Sequence, residues 1–298
     1  MFIKKLFYLF IVLGSMIAYF SSCENEDAWE CCGMDPLHDT VNDTIIRVDT
    51  VCLKDTVCLK DTVCLKDTIK DTVYIGENPY VIHPEYPSSK IWYHGANYAN
   101  SVAERSMKFE GLEIDINYSS STGKMYVCHN IEDTIKSVTL EEWFEILPDP
   151  TRNWYWLDMK NMTVNTADEL AEKIGAIAQK YGIKERIWIE YYDVISLQII
   201  KKYGFNTILT VENLNAQVYS EYVWQYFLLG KINLVKPSAI GCDHTMANLL
   251  NRYFSDQEIF LWHSTIIYTD EYAAETRALC SIPSVKVVLV DYDEPITY

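Results

Sequence analysis

The chain has 298 residues, a length that suits one or two domains. Apolar residues make up 49%, aromatic residues 13% and charged residues 22%, which excludes a globally disordered chain. The net charge of −17, from 42 acidic and 25 basic side chains, repels phosphate backbones and excludes general nucleic-acid binding.

The first 22 residues read as an address. Lys4 and Lys5 precede an apolar run, Leu6 to Phe20, too short and too N-terminal for an ordinary spanning helix. Phe20-Ser21-Ser22-Cys23 resembles a bacterial lipobox. The resemblance implies cleavage before Cys23, acylation of its thiol, and a lipid-anchored envelope protein of the outer membrane. Glu24, Glu26 and Asp27 are similar to acidic tags that carry some lipoproteins to the cell surface.

Residues 23–89 read as a tether. Asp-Thr-Val-Cys-Leu-Lys occurs at 49–54, 55–60 and 61–66, then decays. A six-residue period matches neither a helix nor a heptad, and the apolar bulk is too small for a core. Thr and Val favour an extended chain, in which Cys52, Cys58 and Cys64 share a face and can form interchain disulfides. Pro79, Pro84 and Pro87 close the tether. Cys31 and Cys32 lie in its polar start, whereas Cys128, Cys242 and Cys280 read as small buried hydrophobes.

From Lys90 to Tyr298, strands and helices alternate. Strands are expected at 91–96, 111–117, 153–160, 186–192, 206–212, 239–243, 258–264 and 285–291, and helices at 97–108, 140–147, 165–181, 196–203, 216–229, 245–253 and 271–279. Eight strands with crossover helices predict an α/β fold, a (β/α)8 TIM barrel whose eighth helix is short or missing. An open doubly wound sheet is the alternative.

Strand alternation locates the chemistry. In Leu112-Glu113-Ile114-Asp115-Ile116 the aliphatics share one face and the acids the other. Asp158 and Lys160 oppose Leu157 and Met159 in the same way, and Glu190 follows the pattern. Barrel strands turn their aliphatic face toward the helices, so the acids point inward near the C-terminal strand ends. Carboxylates at i and i+2 stand about 6–7 Å apart and repel by roughly 2–3 kcal/mol at an effective dielectric of ~20. Glu113, Asp115 and Asp158 against one Lys160 therefore suit one hard divalent cation, Mg²⁺ or Ca²⁺. His94 ends the first strand and His129 ends a short strand after the Ser119–Gly123 turn, an acid–base pair suited to phosphoryl transfer.

His94-Gly95, Gly111-Leu112-Glu113-Ile114-Asp115, His129-Asn130 and Leu157-Asp158-Met159-Lys160, with the closing Val288-Leu289-Val290-Asp291-Tyr292, resemble the glycerophosphodiester phosphodiesterase superfamily in order and spacing. Gly95 stands where that family usually has Arg, and Asp158 where it usually has Glu. Both departures, and the His94-x-x-Asn97 spacing, look more like its menorin-type and sphingomyelinase D-type relatives. The resemblance implies a metal-dependent phosphoric diester hydrolase. Its metal ligands would be Glu113, Asp115 and Asp158, its catalytic residues His94, His129 and Lys160. The implied substrates are glycerophosphodiesters, lipid head groups or a phosphodiester polymer. Asn97, Glu190, Glu212, His244 and His263 are further candidates for substrate contact. The alternative reading is a non-catalytic surface binding lipoprotein on a degraded barrel.

Overall fold

The computed structural model describes residues 86–211, 220–265 and 267–292. The expected signal sequence, Cys23, the expected tether up to residue 85 and Glu212 lie outside the described residues. Nine strands form one sheet: β1 (Ile91–Tyr93), β2 (Gly111–Ser119), β3 (Lys124–Val127), β4 (Trp154–Met159), β5 (Ile187–Tyr191), β6 (Asn206–Thr210), β7 (Ala239–Asp243), β8 (Ile259–Trp262) and β9 (Val285–Val290). Eight are parallel in the order β1-β2-β4-β5-β6-β7-β8-β9, and β1 pairs with both β2 and β9, closing a (β/α)8 TIM barrel. The ninth, β3, is antiparallel to β2 and hangs outside the ring.

Seven helices cover the barrel: α1 (Ala99–Lys108), α2 (Leu140–Ile146), α3 (Ala167–Tyr181), α4 (Val194–Lys202), α5 (Glu221–Val235), α6 (Ala247–Tyr253) and α7 (Asp270–Cys280). Among the described residues no helix is long and apolar enough to cross a membrane, and the stretch after residue 292, where an eighth helix is expected to be short or missing, lies outside them. Local chemistry sets the helix ends. Thr139 and Glu142 form a reciprocal capping box at the start of α2, and Asp193 accepts from the Ser196 backbone N–H at the start of α4. Gly182, at φ 68°, takes the left-handed conformation that terminates α3. The helix α5 is expected at 216–229 but runs from 221 to 235, because Ser220 caps it by accepting from Val223 N–H.

Two cores follow from strand alternation. Leu112, Ile114, Ile116, Leu157, Ile189, Leu209, Ile240, Leu261 and Val288 face outward and pack with Leu170, Ile174 and their like on the helices. Cys128, Cys242 and Cys280 are buried, as the sequence predicts. The opposite strand faces fill the barrel with Trp92, Trp156, Trp188, Ile208, Ala239, Phe260, Val287 and Leu289. Phe260 is the hub of that plug, with ring centroids 4.6 Å from Trp188, 5.2 Å from Trp156 and 5.9 Å from Trp92. Large rings on some strands require small residues on their neighbours. Gly111 makes room for Trp92: a Cβ there would lie 2.0 Å from the indole ring. Gly111→Ala should therefore destabilise the fold by about 1–3 kcal/mol, the usual cost of overpacking, read as a lower denaturant midpoint at unchanged slope. A wild-type midpoint would show that the ring and the strand move apart without strain.

Candidate active site

The plug closes the barrel from below, so polar inward positions collect at the C-terminal strand ends. Asp115 and Asp158 are register partners on β2 and β4, and Asp158 pairs in turn with Glu190 on β5. Glu113 is one inward step below Asp115. Ligand oxygens of Glu113, Asp115 and Asp158 all lie within 4.8 Å of one another. Lys160, just past β4, reaches back between two of them: its Nζ is 2.6 Å from Asp115 Oδ1 and donates a short hydrogen bond to Asp158. The three acids and the lysine expected from the sequence are thus brought together.

The charges are unevenly served. Burial works against Asp115 ionisation, but Lys160 and the Asn97 amide hold its carboxyl below the usual range. Burial raises Asp158 despite Lys160. Glu113 is 2% exposed, and burial followed by the Asp115 charge pushes it up to about 8, even with His94 nearby. Among the described residues its carboxylate accepts one hydrogen bond, from the Gly95 N–H at 2.7 Å. Gly95 sits at φ 67°, a left-handed conformation that favours glycine.

His94 leaves β1 with Nδ1 2.5 Å from Asp291 Oδ1 and Nε2 3.8 Å from Glu113 Oε2. Thr265 N–H donates to the other Asp291 oxygen at 2.7 Å, fixing the carboxylate. Burial lowers the His94 pKa, but the Asp291 hydrogen bond and the Glu113 charge outweigh it and leave the value at about 9. An open depression of about 510 Å³, lined by Ser264, Thr265, Ile267 and Asp291, adjoins this pair.

His129 arrives by the hairpin. Asn117 donates its side-chain amide to the Cys128 carbonyl at 2.8 Å and the His129 carbonyl at 3.2 Å, holding the returning chain over β2. The ring is 66% exposed, with Nδ1 3.3 Å from Asp115 Oδ1.

The other expected contacts are placed differently. Asn97 donates to Asp115 Oδ2 at 2.5 Å and accepts from the Asp115 N–H at 2.9 Å, so its amide orients a carboxylate. Glu190 is buried beneath the acids, accepts from Trp156 Nε1 at 2.7 Å and Thr210 Oγ1 at 3.0 Å, and burial raises its pKa well above the usual range. A Cβ at Gly241 would fall 2.7 Å from its carboxylate. His244 and His263 follow inward-facing Asp243 and Trp262 and so turn outward, against Glu275 on α7. Glu212 lies outside the described residues. Sequence reasoning missed Asp291 as the partner of His94. The signal was its parity with inward-facing Val287 and Leu289 at the end of β9.

No protein-family model matches the sequence, and no curated protein sequence does. The fold is similar to that of a glycerophosphodiester phosphodiesterase from Parabacteroides distasonis ATCC 8503, with a TM-score of 0.52 and 9% identity over 70% of this chain and 95% of that one. It is also similar to that of an Oleispira antarctica phosphodiesterase in complex with the product sn-glycerol-3-phosphate, at TM-score 0.50 and 11% identity over 69% of this chain and 94% of that one. At these identities the likeness establishes the fold.

The pairing of His94 with Asp291 has a measurable sign. The folded value of about 9 exceeds the ordinary 6.5, so the ion pair stabilises the fold fully below pH 6.5, and this contribution is lost as pH rises through 9. In divalent-free protein, NMR should follow the His94 ring titrating near 9, and Asp291→Asn should bring it down by at least one unit. An unchanged titration in that variant would remove Asp291 from the account.

Proposed function

We propose that the protein is a phosphoric diester hydrolase of the glycerophosphodiester phosphodiesterase superfamily, dependent on one Mg²⁺ or Ca²⁺ ion. The observation that carries this reading is the arrangement of two histidines, three carboxylates and one lysine at the open end of a barrel with that fold. The donor set fits a hard divalent cation: oxygens only, within 4.8 Å of one another, with Glu113 driven toward its neutral form by burial and by the Asp115 charge. Held by Glu113, Asp115 and Asp158, the cation would supply Lewis-acid neutralisation of charge on a non-bridging phosphate oxygen.

The chain's own residues do the rest. Lys160 holds Asp115 in its ionised form, counters the burial of Asp158 and brings a fixed positive charge to the mouth. His94, held protonated by Asp291, is placed to give a proton to the leaving oxygen. His129, open to solvent, is placed to take a proton from the attacking hydroxyl, which is water or a hydroxyl of the substrate. Asn97 and the Gly95 N–H hold Asp115 and Glu113 in place while those protons move. The substrate classes that suit the site are glycerophosphodiesters, lipid head groups and phosphodiester-linked polymers. Anchoring through acylated Cys23, with the tether as spacer, would put the barrel at the membrane surface.

The test is turnover of a phosphodiester panel by the full chain with Mg²⁺, with Ca²⁺ and with EDTA. EDTA, Asp115→Asn and Asp158→Asn should each abolish turnover while leaving the circular dichroism spectrum intact. His94→Ala and His129→Ala should each lower kcat/KM by roughly 10²–10⁴-fold, and the double variant by far less than the product, because an acid and a base act as one unit. Near-full activity of His129→Ala on every accepted substrate would contradict the two-histidine mechanism. Inactivity of the wild-type chain across the panel would favour the non-catalytic binding protein.

A further inference from the structure

Outside the barrel, where β7 and β8 meet α7, a second cluster gathers His244, His263 and Glu275. One ligand atom from each lies within 4.8 Å of the other two. Both imidazoles turn Nε2 to the same carboxylate, His263 at 3.2 Å from Oε2 and His244 at 3.9 Å from Oε1. The rings are tilted by 50° with centroids 4.2 Å apart. His263 is 2% exposed and lies flat against Tyr272, which fixes its plane.

Hydrogen bonding on the far side of the His263 ring sets its tautomer. The Thr276 hydroxyl donates its one proton to the Tyr272 carbonyl at 2.9 Å, so its oxygen accepts from His263 Nδ1–H at 3.1 Å. Neutral His263 therefore carries its lone pair on Nε2, aimed at a carboxylate. His244 turns Nε2 toward the same Glu275 carboxylate, while its buried Nδ1 lies 3.6 Å from Asp243 Oδ1 and makes no hydrogen bond. A lone pair facing a carboxylate is repelled unless a cation lies between them. A backing acceptor on Nδ1 is also the arrangement that orients histidines toward a metal.

We infer that His244, His263 and Glu275 form a binding site for one borderline transition-metal dication, of which Zn²⁺ is the model. Two imidazole nitrogens and one carboxylate oxygen suit Zn²⁺ and not Mg²⁺ or Ca²⁺, which take oxygen ligands. Donors around a tetrahedral Zn²⁺ with bonds of about 2.0–2.2 Å stand roughly 3.3–3.6 Å apart. The observed 3.2 and 3.9 Å, to the two oxygens of the Glu275 carboxylate, bracket that spacing, and all three donors lie within 4.8 Å of one another. Glu275 is 54% exposed, so solvent reaches the cluster and a water can complete the coordination. The ion would clamp α7 to the ends of β7 and β8, one residue from Ser264 and two from Thr265, which lead to Asp291 and the proposed acid.

The test uses the untagged full chain, with accessible thiols capped by iodoacetamide so that the tether cysteines take no metal, and excess Mg²⁺ to fill the carboxylate site. Calorimetric titration with Zn²⁺ should show one equivalent bound. His244→Ala and Glu275→Gln, both on the solvent side of the cluster, should each weaken that binding by at least ~100-fold. Asp115→Asn should retain it, which separates this site from the one proposed for catalysis. Saturating Zn²⁺ should also raise the melting temperature of the wild type and not of His244→Ala. No Zn²⁺ uptake by the wild type, or uptake unchanged in both His244→Ala and Glu275→Gln, would overturn the assignment and leave a histidine–glutamate ion pair.

Discussion

A single ammonium group, Lys160 Nζ, stands between Asp115 and Asp158 at the open end of the barrel, and Glu113 beside them has only the His94 ring at 3.8 Å, which Asp291 already engages. At 4 Å and an effective dielectric of ~20, two like charges repel by about 4 kcal/mol. One lysine therefore offsets part of the three-carboxylate cluster and leaves it short of positive charge. The surrounding geometry serves that imbalance. In-register pairing of Asp115 with Asp158 puts them at one height, Asn97 fixes the first of them, and the left-handed turn at Gly95 gives Glu113 its one hydrogen bond.

The aromatic filling makes the imbalance consequential. Trp92, Trp156, Trp188 and Phe260 occupy the interior layers, so little water reaches the acids from below. Glu190 shows what that environment does to a carboxyl without a cation: it is buried, hydrogen-bonded to Trp156 and Thr210, and raised well above its usual pKa. It forms the floor of the site. Glu113, on the same inward side, is raised by burial as well, and a divalent ion at the mouth is the counter-charge that would keep it ionised.

Much of this was legible in the sequence because β-strand parity is strict. Glu113, Asp115, Asp158 and Lys160 alternate with aliphatics, and that alternation alone sends them inward. Cap chemistry was less visible. Asp193 caps α4, which starts at Val194, two residues before the expected Ser196, since Ser196 is the residue whose N–H the cap receives. His244 and His263 were expected among substrate contacts because they end strands. Each stands one residue beyond an inward position, and that single step rotates it to the outer face beside Glu275. Asp291 was hidden for a different reason: its partner lies 197 residues away, and only barrel closure through β1 and β9 joins them.

The central claim is that the mouth carboxylates are a cation site short of positive charge. The most direct measurement is the carbon-13 NMR titration of Glu113 in the full chain, first in EDTA and then with saturating Mg²⁺ or Ca²⁺. In EDTA the carboxyl should titrate near 8, and with one of the two ions it should fall to the ordinary carboxylate range or below. A titration curve that neither ion moves would contradict the account.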